Sequence, residues 1–536
     1  MKKLITLIIA VVLVGSLVGC KTETPVVAGN YPGTPGKDSV TINLGSEPPK
    51  LNSILTTDVV SFNVLRHVME GLTTTDKSGK TIPAIAKSWD VSADGTVYTF
   101  HLRNDAKWSN GAGVTANDFA FAWRQVLEPK NAAEYNYLLF LIKNAEEFNA
   151  DKAIWEDVGI KVINDYELEV TLLSAAAYFP SMLNFGVFMP VLESAYTGDA
   201  YATEKDNMLY NGPYVITVWD HEDKIVLEKN PNYVGDTKVA IDKIIFEMIA
   251  DSNTAVNAFE NGELDMCGLR GEMVEKLRDN KAKVAQYSDG SSWAIAFNQT
   301  RTLLKNKNLR KALTLAINRQ AYITDIRKDH SVPSFYWTSP DVKQNGKSLA
   351  AELGEGKWAD HDVEGAKAAL ELAKQELNVK DIKLELLTDE GDVARDIATF
   401  FQSCFEEIGV KIDVVQVPFK DRLERQHRKD YDLSIYGWGP DYDDPMTFLD
   451  IWMTNAGNNI TGFSNEKFDE NIRKAIIETD EKARMQLFVE CENILADDFA
   501  LGYIYFRMRD YVTSDKLDGV VRTSLQDFNL LFATIK

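Results

Sequence analysis

Apolar positions along most of this 536-residue chain recur with one of two periods, and the switching between them divides it into regions. Alternation over residues 40–44 predicts a short strand, and the spacing over residues 59–71 predicts a helix. Period two then dominates. In WDVSADGTVYTFHLRNDAKWSNG, Asp94-Gly95 separates two alternating runs, which is the pattern of a hairpin. Residues 116–126 (ANDFAFAWRQV) return to helical spacing, with Thr115 or Asn117 placed to cap them. Residues 160–173 (IKVINDYELEVTLL) predict a second hairpin, turning at Asn164-Asp165.

Beyond Lys224, strand and helix patterns take turns. Residues 241–249 alternate, and residues 253–260 are helical up to a stop at Asn261-Gly262. Residues 308–318 form a strong helical pattern. Residues 361–377 form another, with Asp362 as cap and Val363, Ala366, Leu370, Ala373 and Leu377 on one face. The clearest unit is strand 382–388, helix 393–408 and strand 410–417, a βαβ crossover that requires a parallel pair. Residues 419–428 are helical in pattern and residues 431–438 strand-like. The expectation is an α/β fold with two α/β lobes facing each other across a cleft, plus a β-rich lobe, and no internal repeat.

The N-terminus has a different character. A basic start, Met1-Lys2-Lys3, precedes an almost unbroken apolar run over residues 4–18, which falls short of the ~20 residues that span a bilayer. It fits the apolar region of a secretory signal peptide over residues 1–19. Leu17-Val18-Gly19-Cys20 resembles a bacterial lipobox, which implies a diacylglycerol thioether on Cys20; an ordinary leader with an incidental Cys20 is the alternative. Residues 20–37, rich in Pro, Gly and Thr, predict a flexible tether, because such composition cannot bury enough apolar surface to offset its ordering entropy. The body is thus expected outside the cytoplasmic membrane, held to its outer face by lipid.

Composition narrows the function. With 45% hydrophobic residues the body is globular, and its length calls for more than one core. A formal charge of −22 argues against nucleic acid as a partner, since phosphates demand a basic surface. Setting Cys20 aside leaves an odd number of cysteines. Cys404 and Cys491 lie on helical apolar stripes and are expected in the core, while the sequence leaves Cys267 open.

Catalytic and metal signatures are missing. The histidines form no HExxH pair, the cysteines no CxxC, and there is no GxSxG elbow, so neither a cofactor nor a metal site is expected. DVKQNGKS (residues 341–348) has Asp341 where a phosphate loop needs glycine, and is expected to be a surface turn. Asp441-Tyr442-Asp443-Asp444 starts like a calcium loop but carries Met446 where that loop turns on glycine.

The most informative stretch is YDLSIYGWGPDYDDPMTFLD, residues 431–450. A strand runs into Gly437-Trp438-Gly439-Pro440, after which carboxylates cluster with Trp438, Tyr442 and Phe448. Glycines flanking a tryptophan allow close backbone approach by a ligand. A carboxylate between aromatic walls suits an ammonium group. The same residues would also serve as a strand end followed by a solvated acidic turn.

The chain resembles the oligopeptide-binding family of bacterial ABC importers. The resemblance is carried, in order, by Glu70-Gly71-Leu72, Pro83-Ala84-Ile85-Ala86, Trp89, YTFHLRNDAKWSNG and Val114-Thr115-Ala116-Asn117-Asp118-Phe119. Asn211-Gly212-Pro213-Tyr214, FENGELD, Phe297-Asn298, Arg310-Lys311-Ala312, Ala316-Ile317-Asn318-Arg319 and GWGPDYDDPMTFL continue it. It implies a hinged, three-lobed clamp of the type II periplasmic-binding-protein kind. Lobe I would comprise residues 38–70, 191–288 and 507–536, lobe II residues 71–190 and lobe III residues 289–506. Hinges would lie at Glu70-Gly71 and near Ser288 and Arg507.

The resemblance further implies that an extended oligopeptide adds a strand inside the cleft and is delivered to the permease of an ABC transporter by a monomeric protein. Asp441 would pair with the peptide's α-amino group. Gly437, Trp438 and Gly439 would bond its backbone, Val59 would lie on a facing strand of lobe I, and Phe419 would be a pocket aromatic. Tyr135 and Tyr505 would be further aromatic contacts. Ile435, Gln426 and Ala394 stand where relatives can carry an arginine, a second arginine and a histidine for the peptide carboxylate. How this chain holds that end is therefore open. Rival readings are a receptor for signalling peptides, the same clamp holding a metal chelate or saccharide, and a cell-surface hydrolase.

Overall fold

The computed structural model describes residues 29–36, 38–344 and 346–536; the leader and Cys20 lie outside them. Ten strands form the main path of one curled sheet. From one edge they run Val410–Val417, Ile382–Asp389, Leu433–Trp438, Lys283–Phe297, Leu501–Thr513, Met266–Leu269, Ser39–Asn43, Lys243–Glu247, Lys224–Lys229 and Tyr214–Asp220. The two longest, Lys283–Phe297 and Leu501–Thr513, pair antiparallel and belong to both α/β lobes at once. Their ladder is interrupted between Ser288 and Ser292, where Gly290 adopts a positive φ of 70°.

The predicted crossover is present. Ile382–Asp389 and Val410–Val417 pair in parallel along their whole length, joined by helix Asp392–Glu407. That helix buries Ile397, Phe401, Cys404 and Phe405, its apolar stripe, against the sheet. Helix Val363–Leu377 begins where expected, with the Asp362 side chain accepting from Gly365 N at 2.9 Å. In the first α/β lobe, helix Val59–Val68 is capped by Asp58, which accepts from Ser61 N at 2.8 Å. Val59 is therefore the first residue of a helix and not part of a strand.

The β-rich lobe carries a separate antiparallel sheet, Ala86–Val91, Val97–Leu102, Glu167–Thr171 and Ile160–Asn164. Both predicted hairpins are in it. Helix Ala116–Leu127 covers it, and Thr115 N donates to Asp118 Oδ2 at 2.8 Å to close a capping box. The expected α/β class, with two α/β lobes and a β-rich one, is the architecture observed.

Cys404 and Cys491 are in the core as expected, and Cys267 is buried as well. Lys343–Gln344 and Lys347–Ser348 pair antiparallel as two short strands. One expectation fails at the N-terminus. Residues 31–34, predicted as tether, lie against the first α/β lobe, with the Tyr31 ring stacked 5.3 Å from that of Phe259. Low apolar content says nothing about specific hydrogen bonds, and these hold the segment.

Candidate functional site

Strand Leu433–Trp438 has an asymmetric environment. On one side it pairs with Lys283–Phe297 along its full length, from Leu433–Phe297 to Trp438–Ser292. On the other it meets Ile382–Asp389 only at Leu433 and Ser434. Beyond Ser434 that pairing stops although the neighbouring strand runs on to Asp389, so from Ile435 onward this edge has no strand partner among the described residues. Gln426 covers the start of the gap, donating from Nε2 to Ser434 Oγ at 2.9 Å and to Ile435 O at 3.3 Å. An unpaired edge inside a protein is a template for another strand.

The edge opens onto a cavity of about 480 Å³ between the lobes. The sequence-predicted Val59, Tyr135, Phe419, Gly437, Trp438, Gly439 and Asp441 all line it. Gly437 is required for close packing: a Cβ there would stand 2.6 Å from the Trp293 ring. A Cβ on Gly439 would meet nothing within 4 Å. Trp438 is anchored by donation from Nε1 to Thr447 O at 2.8 Å, and its ring lies 5.9 Å from that of Tyr135.

The loop's carboxylates are sorted by their partners. Asp444 forms a two-pronged pair with Arg484, whose guanidinium sits between the Tyr178 and Phe488 rings. Asp443 accepts from Lys343 N at 2.8 Å and ties down the short strand pair. Asp441 donates its own N–H to Thr447 Oγ1 at 3.0 Å, and its Oδ1 accepts the Tyr135 hydroxyl. Its Oδ2 is shielded and has no hydrogen-bond partner among the described residues. Burial raises the Asp441 carboxyl well above the usual range; the Tyr135 hydrogen bond opposes this and buried Asp450 adds to it. Such a site is short of one positive charge. A second chamber of about 540 Å³ adjoins the first at Asp441.

Tyr505 belongs one layer back. It is buried and stacks 6.0 Å behind Trp293, so the wall residue is Trp293, which carries the Arg507 guanidinium 4.7 Å above its ring. Ile435 is buried in the core beneath the second α/β lobe and does not line the cavity. Arg425 pairs with Glu385, whereas Arg422, one helical turn before Gln426, faces the cavity over the Phe419 ring. Arg422 donates from Nε to Asp389 at 2.6 Å and from Nη1 to Gln426 Oε1 at 2.9 Å. Arg422 and Trp293 were invisible in the sequence because no local pattern says which helix face or strand face meets a cleft.

Among the described residues no helix is long and apolar enough to cross a membrane, and no cluster of His, Cys, Asp or Glu could hold a metal ion.

The family described as bacterial extracellular solute-binding proteins, family 5 Middle, matches residues 80–460. The chain belongs to that family. It is 33% identical over 501 residues to the oligopeptide-binding protein OppA of Bacillus subtilis (strain 168), covering 91% of this chain and 90% of that one. Among solved structures, the substrate-binding domain of an oligopeptide ABC transporter from Bacillus anthracis superposes with a TM-score of 0.89 at 36% identity, covering 94% of this chain and all of that one. Listeria monocytogenes OppA bound to peptide gives 0.89 at 34% identity, with the same coverage. The fold is thus that of the type II clamp, and the chain is a solute-binding protein rather than a member of an enzyme family.

Proposed function

We propose that this solute-binding protein captures oligopeptides outside the cytoplasmic membrane and hands them to an ABC transporter permease, without catalysing a reaction. The observation that carries this reading is the unpaired edge of strand Leu433–Trp438 leading directly to a carboxylate with an uncommitted oxygen. A peptide laid antiparallel on that edge would be bonded through its backbone, with pockets alongside for its side chains. Its ammonium would sit at Asp441 Oδ2, while Tyr135 holds Oδ1. Its carboxylate end would run toward Arg422, whose Asp389 and Gln426 contacts fix the guanidinium in the cavity wall. Affinity drawn from main-chain bonds tolerates many side chains, which suits nutrient uptake.

The rest of the reading follows the sequence. Residues 1–19 act as an export signal, Cys20 carries the lipid, and the protein works as a monomer. The lobes close about hinges near Glu70-Gly71, Ser288 and Arg507, with the lobe limits given above. The deciding experiment is native mass spectrometry of the soluble body, starting after Cys20 and purified without denaturant, with released ligands sequenced. Peptides of mixed sequence and narrow length are expected. One dominant peptide would move the reading to signalling, and a non-peptide ligand would overturn the substrate class.

A further inference from the structure

Composition predicts slack where the structure shows an attachment. Thr34 donates from its backbone N to Asp265 Oδ1 at 3.1 Å and from Oγ1 to Asp265 Oδ2 at 2.5 Å. Lys516 Nζ reaches Thr34 O at 3.0 Å and Thr34 Oγ1 at 2.8 Å. Tyr31 exchanges backbone bonds with Asp515, donating to its carboxylate at 3.2 Å and accepting from its N–H at 2.7 Å. Gly33 makes the approach possible: with φ at +82°, a Cβ there would fall 2.1 Å from Asp265 Oδ1.

The receiving surface was already built. Asp265 is fully buried and also accepts from Thr41 N at 2.9 Å and Ser514 Oγ at 2.9 Å. The seat lies at the end of the sheet away from the cleft. Strand Ser39–Asn43 runs from it toward Leu44, which lines the cavity, and Ser514 follows the strand whose Arg507 and Arg509 line the cavity. Gly29, the first described residue, is packed on Lys281.

We infer that residues 31–34 are a clamp that fixes where the membrane attachment leaves the protein, making the first α/β lobe the membrane-proximal one and turning its face around Lys281 and Lys283 toward the lipid surface. This rests on Cys20 bearing the lipid. From Cys20 to Gly29 the chain spans about nine residues, at most about 30 Å however it is arranged. Were the segment free up to strand Ser39–Asn43, the leash would be about eighteen residues, or about 65 Å. The clamp thus halves the reach, and a shorter reach concentrates the binding protein near a permease in the same membrane. The second α/β lobe, joined through the crossing strands, remains free to swing.

The test uses the full-length lipidated protein in phosphatidylcholine vesicles carrying an energy-transfer acceptor on the headgroup. A donor dye is placed at Lys281→Cys or, in the second α/β lobe, at Lys420→Cys; the three described native cysteines are buried. Transfer should be at least twofold stronger from position 281. Gly33→Val combined with Tyr31→Ala should reduce transfer from position 281 at least twofold and speed amide hydrogen exchange at Thr34, whose N–H is held by Asp265, while peptide affinity stays unchanged. Equal transfer from both positions overturns the inference, as does undiminished transfer in the variant once exchange at Thr34 has become fast. Protein that fails to float with the vesicles overturns the lipid reading itself, a result obtained without the labels.

Discussion

Tyr135 of the β-rich lobe donates its hydroxyl to Asp441 Oδ1 of the second α/β lobe at 3.1 Å, across 306 residues of chain. One oxygen of the carboxylate is thereby fixed and the other left for a ligand. Asp441→Asn keeps the shape and removes the charge. Losing one member of a buried ion pair costs about 3–5 kcal/mol, so peptide affinity should fall at least tenfold by calorimetry. N-acetylated peptides should bind the native protein equally poorly. Equal affinity for free and acetylated peptides would remove Asp441 from this role.

Peptide binding should strengthen as pH rises from the usual carboxylate range toward neutrality. Burial raises the Asp441 carboxyl in the empty cleft, and an arriving ammonium favours the ionised form, so its pKa falls on binding. Binding then releases a proton, and affinity increases with pH until the peptide's own amino group deprotonates, at about 7.7–8.0. Calorimetry in two buffers of different ionisation heat measures that proton. Asp441→Asn should flatten the acid limb; the same slope in the variant would point to another group.

The two glycines around Trp438 should behave oppositely. Gly437→Ala drives a methyl into the Trp293 ring, and overpacking of this kind costs about 1–3 kcal/mol. Thermal stability and peptide binding should both drop. Gly439→Ala has free space, so its melting temperature should match that of the native protein. A stability loss of similar size in both variants would mean that the Trp293 contact is not what matters at Gly437.

Arg422→Ala should discriminate between peptide ends. If its guanidinium takes the carboxylate, affinity for free-acid peptides should fall about tenfold or more, while C-terminally amidated peptides change little, since a charge-assisted hydrogen bond contributes about 1.5–3 kcal/mol. An equal loss for both peptide forms would assign Arg422 to holding Asp389 and Gln426 in place.

Much of the fold was legible, and the reasons are local. Helix Asp392–Glu407 and its flanking strands announced themselves through an amphipathic stripe between short apolar runs, and Asp362 marked a helix start. The two crossing strands did not. They are buried on both faces over much of their length and so lack alternation, and Ser288-Asp289-Gly290-Ser291-Ser292 imitates a loop where it is an irregularity within a strand. In the site, glycine and aromatic neighbours marked the stretch around residues 437–444, and only the family resemblance singled out Asp441 among its carboxylates. Tyr505 was misplaced by one layer because lining a cavity and backing its wall leave the same mark in a sequence. Val59 does line the cavity, but from a helix that Asp58 caps and not from a strand.

Glu70 offers a check on the burial of the junction between lobes. Its carboxylate is buried, with Oε1 accepting from the Tyr233 hydroxyl at 2.7 Å and Oε2 unpartnered among the described residues. Burial pushes it up to about 7. The folded state therefore binds this proton more tightly than the unfolded chain does. The stability it contributes is present below about pH 4.5 and is lost as pH rises through 7. Glu70→Gln should leave stability unchanged at pH 4.5 and raise it by ~2–3 kcal/mol at pH 8, as measured by urea unfolding. A variant no more stable than the native protein at pH 8 would show that Glu70 ionises without penalty.

Residues 289–291 of the first crossing strand have no partner on the second, so bending there ruptures no ladder bond. Side chains bridge the gap instead: Arg507 Nε donates to Asp289 Oδ2 at 2.7 Å, and Arg509 lies 3.8 Å from the same oxygen. Those three side chains also line the cavity. One carboxylate thus joins the crossing of the strands to the contents of the cavity, and an anionic cargo group that drew Arg507 away from Asp289 would undo the side-chain bridge across the ladder's gap.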